Sequence, residues 1–277
     1  MEPFVRKNNQ SYLAIESWMD QFPGLAAGIT TKSGGVSKGN FETLNLGFHV
    51  GDEVNDVCVN RKEVARQLDF SLNHWVGAEQ IHDIVLKKVG QKDRGKGSDS
   101  YDQSFKGTDG FYTNEDGVLL TLCYADCVPL FFIAPKSRMI GTAHAGWKGS
   151  VGQIARRMVV SWEDEGIEAK DIHVVIGPSI CGNCYIVDNR VVKLIENILE
   201  DVDRKPYNLV SDGQFSLDLR ELNRMLLIAA GVPERQIMVS SFCTSCDREL
   251  FFSHRRDQGR TGRMLSFIGW KELSNHS

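Results

Sequence analysis

The sequence predicts an α/β protein, a layered α/β sandwich with mixed sheets between helices, and three observations carry that expectation. Short runs rich in Val, Ile and Phe recur along the chain, bounded by Gly, Pro, Asp or Ser. Amphipathic helical patterns lie between them. A length of 277 residues at 42% hydrophobic composition suffices to bury a full core. No repeat, low-complexity tract or Pro/Ser-rich linker divides the chain, so residues 1–277 are expected to form one catalytic domain.

Strands are expected at 25–30, 75–78, 84–89, 118–123, 128–133, 139–143, 173–176, 237–241 and 264–268. The first helix reads from Asp52 as its cap through Leu68, with Val54, Val57, Cys58, Val64, Ala65 and Leu68 as the buried stripe. A second reads from a Ser150 cap to Gly166, burying Ile154, Ala155, Met158, Val159 and Trp162. Two more cover 188–199 and 218–230, the latter stopped by "GVP". "FFIAPKSRMI" reads as a hairpin, since Pro135 and Lys136 separate two apolar runs by only a few turn residues. Cys127 before one strand and His144 at the end of the next then share one end of the pair. The charged, glycine-containing stretch 90–110 reads as a mobile surface loop of the lid or binding kind.

A net charge of −4 argues against broad binding of nucleic acid, which needs a concentrated basic face. No apolar run reaches the roughly 20 residues that span a bilayer, and "MEPFVRKNNQSYLAIE" lacks a secretory h-region. The expectation is a cytoplasmic protein, monomer or homodimer, with a small-molecule substrate and neither membrane nor nucleic acid as partner. Seven cysteines in such a chain read as buried fillers, metal ligands or nucleophiles rather than a disulfide framework.

His82, Cys127 and His144 offer the set of three protein ligands that a catalytic zinc keeps while leaving a fourth position open. The same Cys127 and His144 also fit a nucleophile and its base, and spacing alone leaves both readings, and that of ordinary buried side chains, standing. "AHAGWKGS" places Gly146, Gly149 and Lys148 around Trp147, where backbone amides and a lysine can cradle an anion. "TKSGGVSKGN" offers a similar nest with Lys32. Arg255, Arg256, Arg260 and Arg263 crowd "ELFFSHRRDQGRTGRM" and can grip phosphate or carboxylate, or form a solvated face. Cys181/Cys184 and Cys243/Cys246 form two CxxC pairs, open to a structural metal, to ordinary buried thiols or to a redox disulfide.

"TKSGGVSKGNFETLNLGFHVGDEVNDVCVNRKEVA", "EQIHDIV", "TLCYADCVPLFF", "GTAHAGWKGSVGQI", "IGPSICGNCYIV" and "FFSHRRDQGRTGRM" together resemble the purine nucleoside phosphorylase family of YlmD type. Its members were once called multicopper polyphenol oxidases or laccase-domain proteins, and the family is also known as the peptidoglycan editing factor family. The resemblance covers about 25–270. It implies an α/β domain similar to the catalytic domain of cytotoxic necrotising factors, with a metal, Zn2+ or Cu2+, on His82, Cys127 and His144. It also implies phosphorolysis of adenosine, inosine and methylthioadenosine, with adenosine deamination beside it. The copper-oxidase label fits less well, because three ligands do not supply several copper centres. Relatives often carry Arg where this chain has Lys148, so a point charge replaces a planar fork if that side chain meets phosphate.

For phosphorolysis the sequence nominates Lys148, Arg255 and Arg256 for phosphate, Trp147 and Phe48 for the purine, and Asn45 and His49 for ribose hydroxyls. Asp126, or Glu79, is the candidate proton shuttle for deamination. The alternatives are a cysteine-dependent amidohydrolase that edits peptidoglycan precursors, a polyphenol oxidase and a non-catalytic binding module.

Overall fold

The computed structural model describes residues 1–6, 11–199 and 204–272. Its strands are β1 (Phe4–Val5), β2 (Tyr12–Ile15), β3 (Leu25–Thr30), β4 (Trp75–Val76), β5 (Leu86–Lys88), β6 (Gly110–Thr113), β7 (Val118–Tyr124), β8 (Val128–Ala134), β9 (Met139–Ala145), β10 (His173–Ile176), β11 (Ile186–Asp188), β12 (Tyr207–Ser211), β13 (Gln214–Leu217), β14 (Ile237–Val239) and β15 (Met264–Trp270). Its α-helices are α1 (Glu16–Gln21), α2 (Val54–Leu68), α3 (Trp147–Val151), α4 (Ile154–Glu163), α5 (Asn189–Glu196) and α6 (Leu219–Ala229). One six-stranded sheet runs β1-β2-β3-β15-β7-β4, a second runs β14-β10-β8-β9-β6-β5, and β11-β13-β12 make a small third. All three are built mainly from antiparallel pairs, with parallel pairs at β4–β7, β5–β6 and β10–β14. The expected mixed α/β fold is what the chain adopts.

The period-two alternation of the central strands sets the layers. Val118, Leu120, Leu122 and Tyr124 of β7 pack with Phe131 and Ile133 of β8 in a core between the two large sheets. Leu119 of β7 turns the other way, onto Val64, Ala65 and Leu68 of α2. Val128, Leu130 and Phe132 of β8 pack on α4 and α6, where Trp162 meets Phe132 with ring centroids 6.0 Å apart. Each fully buried large side chain of this kind contributes roughly 1.5–3 kcal/mol. The order is therefore helix, sheet, sheet, helices. Among the described residues no helix is long and apolar enough to cross a membrane.

The β8–β9 hairpin forms as its sequence predicts. Pro135–Ser137 is a single 3-10 turn, and Val128 pairs with Ala145 and Pro129 with His144, so Cys127 and His144 do lie at one end. Asp188 and Asp218 cap α5 and α6, each carboxylate accepting two backbone N–H groups.

Other expectations are corrected. Asp52 does not cap α2, whose cap is Glu53; its carboxylate instead accepts from Ser37 and Asn45. Ser150 lies inside the short α3, and its hydroxyl accepts from Asn223. The long helix starts after Gln153, whose φ of 62° interrupts the turn. The amides of Gly34 and Gly35 both donate to the Thr43 hydroxyl, so "TKSGGVSKGN" closes on itself instead of holding an anion. Strands β1, β2, β6, β11, β12 and β13 were not expected.

Residues 90–110 are stitched to the body. Gly77 and Trp75 exchange backbone bonds with Lys96 and Gly95, and Phe105 bridges Ala78. Buried Arg61 of α2 adds two anchors, donating to the carbonyls of Gly97 and Ser98, while its other N–H groups donate to the Leu46 carbonyl. Removing a buried guanidinium leaves those carbonyls unpaired, so Arg61→Ala is expected to lose about 3 kcal/mol in urea unfolding. It should also open the segment to trypsin at Lys96 and Lys106. Unchanged cleavage at those lysines would show that Arg61 does not hold the segment.

Candidate active site

The three ligand candidates come from three places in the fold. Cys127 follows the turn that links β7 to β8, His144 sits near the end of β9, and His82 lies in the loop between β4 and β5. Their ligand atoms all fall within 4.8 Å of one another. The two imidazoles meet edge to face at 4.7 Å between centroids. His144 is buried, whereas His82 is exposed and forms the open side.

Asp109, at the entry to β6 and without exposed surface, organises the group. Its carboxylate accepts from the backbone N–H of Ile81, His82 and Asp83 at 3.2, 3.0 and 2.9 Å. It also lies 2.9 Å from His144 Nδ1, and a carboxylate partner makes that nitrogen the N–H donor. With Nδ1 so occupied, His144 Nε2 is the ring nitrogen that faces Cys127 and His82, where a bound metal would take its electron pair. The Asp109 carbonyl accepts from His144 N at 2.7 Å. Burial works to raise the Asp109 carboxyl, but the bonds from His144 and the loop amides offset it and hold the group below its ordinary value. Gln80 adds a second clamp, pairing both its amide atoms with the backbone of Cys123 in β7.

Burial also pushes the Cys127 thiol up, yet the charge and hydrogen bonds of His144, with those of His82, bring it down to about 6. Burial lowers His144, and the Cys127 and Asp109 charges raise it to about 9. Without a metal, thiolate and imidazolium stabilise each other. The donors fit a metal: a thiolate and two imidazoles converge with an open side, one imidazole is fixed by a carboxylate, and space is kept for them by Gly146. A Cβ on Gly146 would stand 2.9 Å from Cys127 Sγ and 3.0 Å from His82 Cδ2. Two neighbours hold unusual backbone: His82 has φ 62° and Asp126 φ 87°.

The group opens into a cavity of ≈ 420 Å³, within the range of small-ligand sites. Trp147, Tyr185, His49, Arg255, Arg263 and His254 line it. His49 is exposed toward the cavity; the protein packed around its ring and the nearby Arg263 and Arg61 lower its pKa to about 4, so its ring is neutral at pH 7. Arg255 lies 4.9 Å from the Tyr185 ring.

Several nominated residues stand elsewhere. Lys148 is exposed, with its ammonium 5.8 Å from the Trp147 ring, and it is not on the cavity wall. Arg256 spends its donors on Asp257 and on the carbonyls of Thr244 and Phe251. Asn45 is fully buried and ties Gly47, Asp52 and Arg263 together, so it supports the wall without lining it. Phe48 lies under Arg61, 4.4 Å away. Glu79 pairs with Lys106. Asp126 reaches the cavity, but its carboxylate oxygens accept from Thr244 and from Arg255 N, which makes it a brace between loops. Asp109, Gln80, Tyr185 and His254 went unnoticed in the sequence. The "TDG" around Asp109 carried one signal, an acidic residue directly before a strand.

Fold and site together define a mixed α/β protein with an open-sided His/Cys/His group that could hold a metal ion at the floor of a small-molecule cavity. Comparison with known proteins places it more closely. The chain belongs to the family described as multi-copper polyphenol oxidoreductase laccase, which matches residues 26–271. It is 52% identical over 252 residues to purine nucleoside phosphorylase YlmD of Geobacillus stearothermophilus, covering 91% of this chain and 92% of that one. It is 50% identical over 266 residues to the YlmD phosphorylase of Bacillus subtilis, with 95% of each covered. The crystal structure of YlmD from Geobacillus stearothermophilus superposes with a TM-score of 0.95 at 48% identity, over 98% of this chain and 100% of that one. A Neisseria meningitidis protein, NMB0706, gives 0.79 at 27% identity, with the same shares covered.

Asp109→Asn keeps the shape but sets an amide N–H2 against donors. The expected result is a 10–100-fold weaker metal affinity in a chelator competition, with the circular dichroism unchanged. Unaltered affinity would reduce Asp109 to a folding role. Gly146→Ala should abolish metal retention through its contact with Cys127 Sγ, which metal analysis of the folded variant would show.

Proposed function

We propose that this protein is a zinc-dependent purine nucleoside phosphorylase that converts adenosine, inosine and methylthioadenosine to the free base and the corresponding ribose 1-phosphate, with adenosine deamination as a second activity. The observation that carries this reading is the His82/Cys127/His144 group at the floor of a cavity whose walls offer both aromatic faces and arginines. Relatives at about half identity bear the phosphorylase name.

In phosphorolysis a phosphate oxygen attacks C1′ of the sugar, the bond from C1′ to the purine breaks, and the electron pair leaves on the base. Arg255 and Arg263 line the cavity and are the candidates for the incoming phosphate, since a guanidinium matches two phosphate oxygens at once. Arg255 Nη1 also donates to the Ile186 carbonyl and Arg263 Nη1 to those of Thr261 and Gly262, so each would meet phosphate with its remaining N–H groups. Trp147 and Tyr185 offer the purine apolar faces. His49, neutral at pH 7, can hydrogen-bond a ribose hydroxyl. Zinc held by the three ligands would supply a Lewis acid against the substrate. His144, oriented by Asp109, holds the donor set in place. Copper also accepts a Cys/His/His set, so the metal is part of the test.

A second reading draws on one observation: Cys127, His144 and Asp109 line up as thiol, imidazole and carboxylate, the order of a cysteine hydrolase triad. That reading makes the protein an amidohydrolase for peptidoglycan precursors.

Incubation with adenosine separates these readings. Free adenine should form only with phosphate present, while inosine forms without it, and a zinc chelator should stop both. Base release indifferent to phosphate would make the enzyme a hydrolase, and absence of both products, with cleavage of a muramoyl peptide that survives chelation, would favour the thiol nucleophile. Arg255→Ala and Arg263→Ala are each expected to raise KM for phosphate on the order of tenfold, a loss of about 1.4 kcal/mol, with little change in deamination.

A further inference from the structure

The two CxxC pairs, 62 residues apart in sequence, come together next to the segment whose Ile180 and Tyr185 line the cavity. Ser179 bridges Cys243 as a parallel pair, and this joins the segment after β10 to the segment after β14. The four sulfurs of Cys181, Cys184, Cys243 and Cys246 lie within 4.8 Å of one another. Zinc bonds of about 2.3 Å in a tetrahedron set sulfurs about 3.8 Å apart, so the spread suits one ion and is too tight for a four-iron cluster. Cys243 Sγ accepts from the backbone N–H of Cys181 at 3.3 Å and of Cys246 at 3.4 Å. Each CxxC turn thus aims an amide at one sulfur, an arrangement that favours a thiolate. Cys184 Sγ and Cys246 Sγ stand 3.4 Å apart as free thiols in hydrogen-bond contact, and if all four were thiolates they would repel unless a cation were shared among them.

We propose that Cys181, Cys184, Cys243 and Cys246 bind a second, structural zinc ion, distinct from the His82/Cys127/His144 centre. The ion fastens the segment that carries Ile180 and Tyr185 to the segment that carries Thr244, the partner of Asp126. It has a closed, all-thiolate shell and no position for substrate, so its task is to hold the wall.

Zinc should be counted in the full-length protein purified without chelator, where about two ions per chain are expected. Cys184→Ser and Cys246→Ser should each lose half of the bound zinc. Cobalt-loaded Cys127→Ser should keep the intense thiolate charge-transfer absorption of a four-sulfur site. Should the serine variants fail to fold, X-ray absorption of the wild type decides: a sulfur-rich shell at about 2.3 Å is expected. A shell with a single sulfur overturns the proposal. So does iron in place of zinc, or a metal-free Cys184–Cys246 disulfide seen as the loss of two hydrogens in the non-reduced mass.

Discussion

A carboxylate without access to water has to find its hydrogen bonds inside the protein. Asp109 finds four, three from successive backbone N–H groups of 81–83 and one from His144. Each serves the cavity. The three amides fix the path of the loop that carries His82, and the fourth bond selects which nitrogen of His144 faces inward. Asp109 can stand there because β6, which it precedes, is zipped onto β9 from Gly110–Ala143 to Thr113–Ile140. Sheet pairing therefore sets the position of one side chain, and that side chain relays the position to a loop that has no regular structure of its own.

The layered arrangement explains why the cavity lies where it does. β7 contributes to one sheet and β8 to the other, and the turn between them holds Asp126 and Cys127. The chain crosses from sheet to sheet at this point, and the open end of the sandwich is filled by loops. Residues 45–49, 80–82, 180–185 and 254–263 all gather there. Their side chains are held by neighbouring backbone, as Asn45 holds Gly47 and Arg263, and this leaves the cavity wall firm although it is made of turns.

The central strands β7, β8 and β9 were legible because both of their faces are buried, which leaves near-continuous apolar runs such as "VLLTLCY" and "VPLFFIA", whereas β1, β2 and β6 of the same sheets are only two to four residues long and gave no such run. β12 was not legible, since Leu209 and Val210 are exposed and its pattern resembles a loop. The hairpin, and with it the closeness of Cys127 and His144, followed from local turn chemistry. His82 could be nominated from its residue type, but the agent that places it, Asp109, acts across the fold and leaves no periodic trace. Among the basic residues, sequence proximity misled. Lys148 adjoins Trp147 yet points to solvent, as neighbours on a helix diverge, and Arg256 adjoins Arg255 yet is consumed by Asp257. The cysteine pairs were visible as motifs, and the long separation concealed that β10 and β14 run side by side.

His82 and Asp126 both adopt left-handed backbone, a conformation glycine takes freely and other residues hold at roughly 1–2 kcal/mol. Two such positions flank the cavity floor. Selection for robustness alone would favour glycine at each, and glycine would remove one imidazole and the carboxylate brace between loops. The protein thus holds part of its attainable stability in reserve at the place where its chemistry occurs, and variants chosen only for heat resistance are drawn toward erasing it.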